Sequence, residues 1–300
     1  MNDIKIIMLV GLPASGKSHK ARELSQEYDA EIFSSDALRE ELFGDVNHQD
    51  NNHELFNELH KRIKDCLKSG QSAIYDACNI SYKRRMAFIQ ELKNIPCEKI
   101  CVLMATPYEE CLKRNMERER KVPEEVIKRM YMNFTIPYWY EMWDDIQVEY
   151  SDFRGYYNKP YDFYKKYKDY NQHNSHHQLT LGEHCRQTAM KLASDYQPTK
   201  LVCAGYIHDC GKSECATYVN KKGETTKECH YYGHQYASGY NALFYDYDFI
   251  DPLDVAIRVM WHMQPYFNKE EKTINKYKKL WGEELYNDIM LLHKADEAAH

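Results

Sequence analysis

The chain has 300 residues, enough for two domains that each bury a hydrophobic core. Its formal net charge of −6 argues against a protein that coats nucleic acid through a broad basic face, although local basic clusters can still bind one end or one phosphate. The ten cysteines form no C-x-x-C pair, and no apolar run approaches the roughly 20 residues of a membrane helix. We therefore expect a cytoplasmic protein with reduced thiols and no membrane partner.

The first predicted element is a buried strand that leads through a glycine-rich turn into a helix. An apolar run from Ile4 is followed by G-L-P-A-S-G-K-S at residues 11–18, which fits the phosphate-binding pattern G-x-x-x-x-G-K-[ST]. Glycines let the backbone N–H groups turn inward, and the helix dipole favours an anion there. We predict that Lys17 contacts the β- and γ-phosphates of an NTP (ATP or GTP) and that Ser18 holds Mg²⁺. The whole predicted nucleotide site is Gly11, Ala14, Ser15, Gly16, Lys17 and Ser18.

The second predicted strand, Ala30–Ser34, follows a helix and is itself followed by an aspartate, Asp36. Ligands of open α/β sheets bind at the carboxyl ends of strands, so Asp36 is the candidate general base that orients an attacking hydroxyl. Capping of the next helix by Ser35 or Asp36 explains the same residues equally well. Arg39, one turn later, is a candidate contact for a substrate phosphate, with a solvated arginine as the alternative.

A third strand, Ser72–Tyr75, follows the long amphipathic helix Glu54–Lys68 and precedes two further polar residues, Asp76 and Asn79. We predict that Asp76 and Asn79 bind the acceptor, with Asp76 also able to lie behind Mg²⁺. Capping of the helix Tyr82–Lys93 by Asp76 is the alternative.

An arginine-rich segment comes after the fourth predicted strand, Cys97–Ala105, and reads R-N-M-E-R-E-R-K-V-P. Arginines on a mobile lid stabilise charge on a phosphoryl group in transfer, so Arg118 and Arg120 are catalytic candidates. A solvated helix face, with arginines paired to neighbouring glutamates, is the alternative.

Residues 1–150 resemble the P-loop kinases that phosphorylate the 5′-hydroxyl ends of polynucleotides, a group similar to the kinase that acts on seryl-tRNA. The matching runs are G-L-P-A-S-G-K-S, S-S-D-A-L-R, D-A-C-N-I-S-Y-K-R-R and R-x-x-x-R-x-R-x-V-P-E-E-V-I. The resemblance implies an α/β domain with a parallel sheet and flanking helices. It also implies that Asp36 is the base, that Arg39 contacts the acceptor's phosphate, and that Arg118 or Arg120 clamps the donor.

Residues 151–178 form a tyrosine-rich and basic segment without an apolar period, and we place the domain boundary here. Such a segment can bind a single strand of nucleic acid or pack as a linker between domains.

From residue 179 to 300 the pattern predicts helices, with a hairpin near Asn220–Gly223. This half also carries an ordered series of metal-ligand residue types: His184, His208, Asp209, His234, His262 and Asp296. Imidazole with carboxylate suits divalent transition metals such as Mn, Fe, Ni, Co or Zn.

The runs H-D-C-G-K, G-H-Q, W-H and K-A-D resemble the HD phosphohydrolase superfamily, whose domains are all-α. The resemblance implies that Asp209 bridges two metals. One metal would also be held by His184, His208 and Asp296, and the other by His234 and His262. Lys212 would then bind phosphoryl oxygens, and the metals would activate a water for attack on phosphorus. His230 is an alternative to His234, and other nearby histidines are His173, His176, His177, His293 and His300, of which His177 is a candidate substrate contact.

The two resemblances together lead to the hypothesis of a bifunctional enzyme that heals RNA or DNA ends. One half would phosphorylate a 5′-hydroxyl, and the other would hydrolyse a 2′,3′-cyclic phosphate or 3′-phosphate. A separate RNA ligase, acting afterwards, is a candidate partner. The alternatives are a small-molecule or aminoacyl-tRNA kinase fused to a mononucleotide phosphohydrolase, and an NTP-gated HD phosphatase switch.

Overall fold

The computed structural model describes residues 4–46, 50–151, 158–175, 178–267 and 270–299. The chain divides into two compact units, each of which draws on two segments. The first is Met1–Ile127 with Pro137–Asp152, and the second is Lys128–Ile136 with Phe153–His300.

The described part of the first unit is built on a five-stranded sheet in the order β2-β3-β1-β4-β5, with every neighbouring pair parallel. The strands are β1 (Lys5–Val10), β2 (Glu31–Ser34), β3 (Ala73–Asp76), β4 (Glu98–Ala105) and β5 (Asp145–Tyr150). In the central strand, Ile7 pairs with Ile74 on one side and Ile100 on the other. Its buried apolar run is typical of a parallel strand covered on both faces.

Helices connect these parallel strands, as right-handed crossovers require. They are α1 (Lys17–Tyr28), α2 (Ser35–Phe43), α3 (Asn52–Lys68), α4 (Tyr82–Glu91), α5 (Tyr108–Glu117) and α6 (Glu124–Tyr131), with a 3₁₀ turn at Trp139–Glu141. A fully buried ion pair joins α4 to that turn, because Arg85 places Nε 2.7 Å and Nη2 2.6 Å from the two carboxylate oxygens of Glu141. The third Arg85 nitrogen donates to the Asn79 carbonyl at 2.8 Å, close to the phosphate-binding loop.

The parallel α/β architecture expected of the first unit is confirmed, but the sequence interpretation missed β5. This strand lies at the edge of the sheet beside β4, and in D-I-Q-V-E-Y only Ile146 is buried. An edge strand needs few apolar residues, so its local pattern is weak and it forms mainly because β4 offers it a partner.

The second unit is mainly helical. Its helices are α7 (Asp162–Tyr167), α8 (Leu181–Ser194), α9 (Thr199–Ile207), α10 (Lys212–Cys215), α11 (His234–Ala242), α12 (Pro252–Trp261), α13 (Gln264–Phe267) and α14 (Glu271–Glu297). The expected hairpin is present, since β6 (Thr217–Val219) pairs antiparallel with β7 (Thr225–His230). The described part of this unit is therefore not purely α-helical.

Two general expectations can be compared with the structure. Each of the ten cysteines lies within the described ranges and is a free thiol. Over the described residues, the structure contains no helix with the length and apolar character needed to cross a bilayer.

Candidate functional sites

The glycine-rich turn lies between β1 and α1 and depends on its two glycines. A Cβ on Gly11 would lie 2.5 Å from Ser15 Oγ and 3.0 Å from Met104 Cβ, and Gly16 has φ +97°. Ala14 also has positive φ, +63°, in the left-handed region that a non-glycine residue adopts at a cost. The Gly11 N–H donates to the Cys78 carbonyl at 3.0 Å and ties the loop to the segment after β3.

The lysine and serines of this loop are arranged for an anion. Lys17 is buried, and its Nζ donates to the carbonyls of Gly11 at 3.1 Å and Leu12 at 2.7 Å. Ser15 Oγ is buried and has no hydrogen-bond partner among the described residues. A buried ammonium, a spare hydroxyl and the start of α1 together form a positive cradle for phosphate oxygens.

Ser18 and Asp76 form a pair beside the loop. The Ser18 hydroxyl donates to Asp76 Oδ2 at 2.9 Å, and Asp76 is the last residue of β3. Burial raises the pKa of the Asp76 carboxyl, and the charge of Lys17 and the Ser18 hydrogen bond offset part of that rise. The alternative that Asp76 caps the following helix is wrong, because Ser81 is the N-cap of α4. A hydroxyl next to a carboxylate is a suitable donor set for Mg²⁺ and its waters.

Asp36 lies in the first turn of α2, and it contacts two arginines. Its Oδ1 is 3.1 Å from Arg39 Nη1, and its Oδ2 is 2.8 Å from Arg120 Nη1. The alternative that Ser35 or Asp36 caps α2 is wrong, because the cap is Ser34, whose hydroxyl accepts from the Ala37 N–H at 3.5 Å. The Asp36 side chain is about half exposed and so remains accessible to a substrate.

The arginine-rich segment divides into three different environments. Arg114 pairs with Glu110 on α5 at 2.8 Å, whereas Arg118 follows the end of that helix and is exposed. Arg120 contacts Asp36 and also donates to the Val46 carbonyl at 2.9 Å. Of the two predicted lid arginines, Arg120 is thus the one that the structure brings to the candidate base.

Two further residues support the loop. Asn79 has φ +47° and donates its side-chain amide to the Leu9 carbonyl at 2.9 Å, which fixes the end of β1. Thr106, which the sequence interpretation missed, is fully buried after β4 and donates its hydroxyl to the Ser15 carbonyl at 3.1 Å. Thr106 could have been found from its position, because it directly follows β4, whose carboxyl end lies at the same edge of the sheet as the glycine-rich loop.

In the second unit, all six predicted metal ligands are buried and come together from five parts of the chain. His184 lies on α8, His208 and Asp209 directly after α9, His234 at the start of α11, His262 directly after α12, and Asp296 near the end of α14. Their candidate ligand atoms form two groups, within each of which all atoms lie within 4.8 Å of one another. The groups are His184, His208 and Asp296, and Asp209, His234 and His262.

Backbone carbonyls orient the four imidazole rings in the same way. Nδ1 lies within hydrogen-bond distance of a carbonyl oxygen in His184 (Ala299, 3.1 Å), His208 (Gly205, 2.9 Å), His234 (Tyr231, 2.7 Å) and His262 (Val259, 2.6 Å). A carbonyl can only accept, so each Nδ1 carries a proton and each Nε2 is directed away from the backbone carbonyl. This second layer of hydrogen bonds is characteristic of metal-binding histidines.

The Nε2 atoms converge on the two carboxylates. His184 Nε2 lies 2.9 Å from Asp296 Oδ1, and His208 Nε2 lies 3.4 Å from both Asp296 Oδ1 and Asp209 Oδ2. On the other side of Asp209, Oδ1 lies 3.2 Å from His234 Nε2 and 3.6 Å from His262 Nε2. Asp209 therefore faces one histidine group with each of its oxygens.

The donor set passes a test for a bound cation. Asp209 Oδ1, His234 Nε2 and His262 Nε2 are buried, and within the described residues none makes a hydrogen bond. Burial opposes charge on Asp209, but Lys212 and His208 hold the pKa of its carboxyl well below the usual range. Burial lowers the pKa of His262. Two imidazole nitrogens and a carboxylate oxygen that converge in a buried site without hydrogen bonds are a donor set that fits a divalent metal.

Lys212 lies at this cluster, with Nζ 2.7 Å from Asp209 Oδ2 and 2.8 Å from the side-chain oxygen of Gln172. Gln172 belongs to the tyrosine-rich segment and was missed. So was Tyr266, whose hydroxyl donates to Asp296 Oδ2 at 3.0 Å. Cys185 is a third residue missed as a site member, and it groups with His208 and Asp209. Of these three residues, only Cys185 could have been indicated by the sequence, because it directly follows the predicted ligand His184.

The alternative histidines lie elsewhere. His230 is on β7 rather than on a helix, and its Nε2 lies 3.0 Å from the Thr226 hydroxyl. His173 has φ +47°, and its carbonyl accepts from the Cys229 N–H. His293 packs its ring on Tyr266 at 4.3 Å between centroids. His177, the candidate substrate contact, and likewise His176 and His300, lie outside the described residues.

Comparisons with known proteins bear on the first unit. Residues 6–137, which are less than half of the chain, match the protein family described as an AAA domain. The parallel sheet and the glycine-rich loop between β1 and α1 give this unit an α/β fold of the P-loop class.

Particular relatives add detail. A curated relative, the L-seryl-tRNA(Sec) kinase of Methanococcus maripaludis, is 30% identical over 160 residues, which are 49% of this chain and 60% of the relative. The chain thus spans less than two thirds of that protein's length. Among solved structures, Kti12 of Chaetomium thermophilum with ADP-AlF₃ is 18% identical, covering 49% of this chain and 89% of that chain, with a TM-score of 0.42. The Pnkp1/Rnl/Hen1 RNA repair complex is 23% identical, covering 43% of each chain, with a TM-score of 0.37.

Proposed function

We propose that this chain heals the two ends of a broken RNA, using a kinase site in its first unit and a metal-dependent phosphoesterase site in its second. The observation that carries the proposal is the presence, on one chain, of a phosphate-binding loop beside a candidate base and a separate cluster of six buried metal-ligand side chains. One site is suited to adding a phosphate and the other to removing one.

The kinase step is a transfer of the γ-phosphoryl group to a 5′-hydroxyl. Lys17 would hold the phosphates of the donor, and the Ser18–Asp76 pair would hold Mg²⁺ and its waters. Asp36 accepts the proton of the hydroxyl as its oxygen bonds to phosphorus and the nucleoside diphosphate leaves. Arg39 and Arg120, which flank Asp36, stabilise the phosphates of acceptor and donor.

The hydrolytic step opens a 2′,3′-cyclic phosphate and removes the resulting monoester. His184, His208, Asp209, His234, His262 and Asp296 would hold the metal. When bound, a divalent transition metal lowers the pKa of a coordinated water and neutralises charge on the phosphoester. Lys212 binds the phosphoryl oxygens, and Gln172 keeps its ammonium directed toward Asp209. Tyr266 orients the Asp296 carboxylate by its hydrogen bond.

These two reactions complement each other chemically. Metal-independent nucleases leave a 5′-hydroxyl and a 2′,3′-cyclic phosphate, and a ligase can use neither end. A single chain that carries both sites prepares both ends for a ligase that acts afterwards.

The test uses a short RNA with a 5′-hydroxyl and a 2′,3′-cyclic phosphate, incubated with ATP or GTP, Mg²⁺ and Mn²⁺, and analysed by mass spectrometry. We expect one phosphate to be gained at the 5′ end and the cyclic phosphate to be opened or lost. The Lys17→Ala variant should abolish only the first change and the Asp209→Ala variant only the second. An RNA that stays unchanged while NTP and metal are bound would contradict the proposal.

A second candidate function is favoured by the match to a seryl-tRNA kinase. In this case the acceptor is an aminoacyl group on tRNA, and the metal cluster hydrolyses mononucleotides. Seryl-tRNA and the 5′-hydroxyl RNA, offered together at equal concentration with labelled ATP, distinguish the two. Transfer of label to seryl-tRNA alone would replace the RNA-end proposal.

A further inference from the structure

A cavity of about 220 Å³ opens in the second unit where helix α14 is broken. The break is at Gly282, which has φ +79° and ψ 168°, a backbone conformation that essentially only glycine adopts. The two halves of α14 therefore diverge from a straight axis, and side chains from both halves line the cavity. The volume is below the roughly 300–1,000 Å³ of a typical small-molecule site, which suits one planar ring.

The walls of this cavity are aromatic. Tyr277 and Trp281 come from the first half of α14, with ring centroids 4.5 Å apart, and Tyr286 comes from the second half. Trp281 rests in turn on Trp261 of α12, at 5.3 Å between centroids, which holds its indole in place. Rigid aromatic faces of this kind are platforms on which a base can stack.

The cavity lies beside the metal-ligand cluster in the fold. His293 lines the cavity and precedes the ligand Asp296 by three residues on α14, and Gln264 lines it two residues after the ligand His262. Tyr266 links the two, since its hydroxyl donates to Asp296 and its ring packs against His293. A nucleotide with its phosphate at the cluster would have this cavity as the neighbouring site for its base.

The first half of α14 is rich in exposed lysines, with exposed glutamates at its start (Glu271) and after the break (Glu283 and Glu284). The first half of α14 carries four exposed lysines, Lys272, Lys276, Lys278 and Lys279. Lys278 Nζ lies 5.0 Å from the ring centroid of Tyr286, a cavity residue. Ammonium groups beside aromatic rings are the combination that binds bases and their flanking phosphates.

We propose that this cavity binds the nucleobase of the terminal nucleotide whose phosphate is hydrolysed at the metal-ligand cluster. The proposal rests on the hydrolytic half of the proposed function and adds the part of the substrate that is recognised. Trp281 and Tyr277 provide the aromatic faces against which the base packs, and the lysines of α14 contact the preceding phosphates.

The test compares two oligonucleotides that end in a 2′,3′-cyclic phosphate, one with adenine on the terminal ribose and one with that base removed. Stacking of one base corresponds to roughly a 5- to 150-fold change in affinity, so we expect KM to be lower by that factor for the base-bearing substrate, with kcat little changed. Tyr277→Ala, which removes one aromatic wall of the cavity, should reduce this preference. Ile274→Trp, which fills the cavity, should abolish it, and Phe249→Ala, at an exposed site of the same unit, should not alter it.

Equal KM values for the two substrates in the wild-type protein would overturn the proposal. Absence of turnover on both would contradict the proposed hydrolysis instead, and binding then decides. In that case the affinities of the Mn²⁺-loaded protein for adenosine 3′-phosphate and for ribose 3-phosphate are measured in the wild type and in Ile274→Trp. Tighter binding of the adenosine compound that is lost in the filled variant supports the pocket, whereas binding that does not depend on the base or on the variant overturns it.

Discussion

Arg120 Nη1 lies 2.8 Å from Asp36 Oδ2, so an arginine from the segment after α5 contacts the candidate base that follows β2. Arg39 contacts the other oxygen of the same carboxylate at 3.1 Å. The carboxylate is thus held between two guanidinium groups. Because phosphate oxygens compete for the same donors, both guanidinium groups are candidate contacts for a bound phosphate.

The first prediction concerns Asp36. Asp36→Asn keeps the shape and one hydrogen-bond acceptor but cannot accept a proton, so we expect the kinase rate to fall by about 10²–10⁴-fold. Arg120→Lys keeps the positive charge but loses the planar guanidinium group. We expect this change to raise the KM for NTP more than Arg118→Lys does. Single-turnover phosphorylation of a 5′-hydroxyl oligonucleotide measures both effects. A rate for Asp36→Asn within about threefold of wild type would exclude Asp36 as the base.

The second prediction concerns the Ser18–Asp76 pair. Asp76→Asn removes the negative charge behind the predicted Mg²⁺ site while keeping an acceptor for the Ser18 hydroxyl. We expect the Mg²⁺ concentration that gives half-maximal kinase rate to rise by about tenfold, in line with the effect of outer-layer ligands on metal sites. A titration of kinase rate with Mg²⁺ at saturating NTP measures it. Thr106→Val, which loses a hydrogen bond to the loop but no charge, is the control and should leave the Mg²⁺ requirement unchanged.

The third prediction concerns metal content. Asp209 faces both histidine groups, so Asp209→Ala should lower the bound metal of purified protein more than the loss of any single histidine. His262→Ala should remove part of the metal, and His230→Ala, on β7, should remove none. Elemental analysis by mass spectrometry, alongside hydrolysis of a cyclic phosphate, measures both. Equal metal in wild type and Asp209→Ala would show that the cluster is not the metal site.

The fourth prediction concerns the buried pair of Arg85 and Glu141. Removing one partner leaves an uncompensated buried charge, so Arg85→Ala should lower the free energy of unfolding of the first unit by about 3–5 kcal/mol. Arg62, on the surface between Glu41 and Glu58, is the matched control, and Arg62→Ala should cost less than about 1 kcal/mol. Urea unfolding followed by circular dichroism measures the difference. Similar losses of unfolding free energy in Arg85→Ala and Arg62→Ala would show that burial does not make the Arg85–Glu141 pair more important than a surface pair.

The fifth prediction concerns pH. Burial lowers the pKa of His60 from its ordinary value of 6.5, with only partial compensation by Glu91. The unfolded chain therefore binds a proton near pH 6.5 that the folded chain still rejects, and this contribution to stability is lost as pH falls below that value. Unfolding midpoints from pH 8 to about pH 5 should decline more steeply in wild type than in His60→Gln. Parallel declines would show that His60 is not the group responsible.

Several features of this protein depend on residues that are neighbours in the sequence. The loop at residues 11–18 is a contiguous motif, and the polar and apolar spacing that follows it predicts the helix α1, Lys17–Tyr28. The metal-ligand residue types in the second half are likewise recognisable from short runs such as H-D-C-G-K. Each of these features depends on neighbouring residues, which is why sequence alone could predict them.

The tertiary structure decided what depends on distant parts of the chain. It brought Arg120, rather than Arg118, to Asp36, and it paired β5 with β4 despite a weak apolar pattern. It also placed Trp281 and Tyr286 around one cavity at the Gly282 break. Local periodicity carries no information about which faces meet after folding, because those contacts arise from packing between elements far apart in sequence.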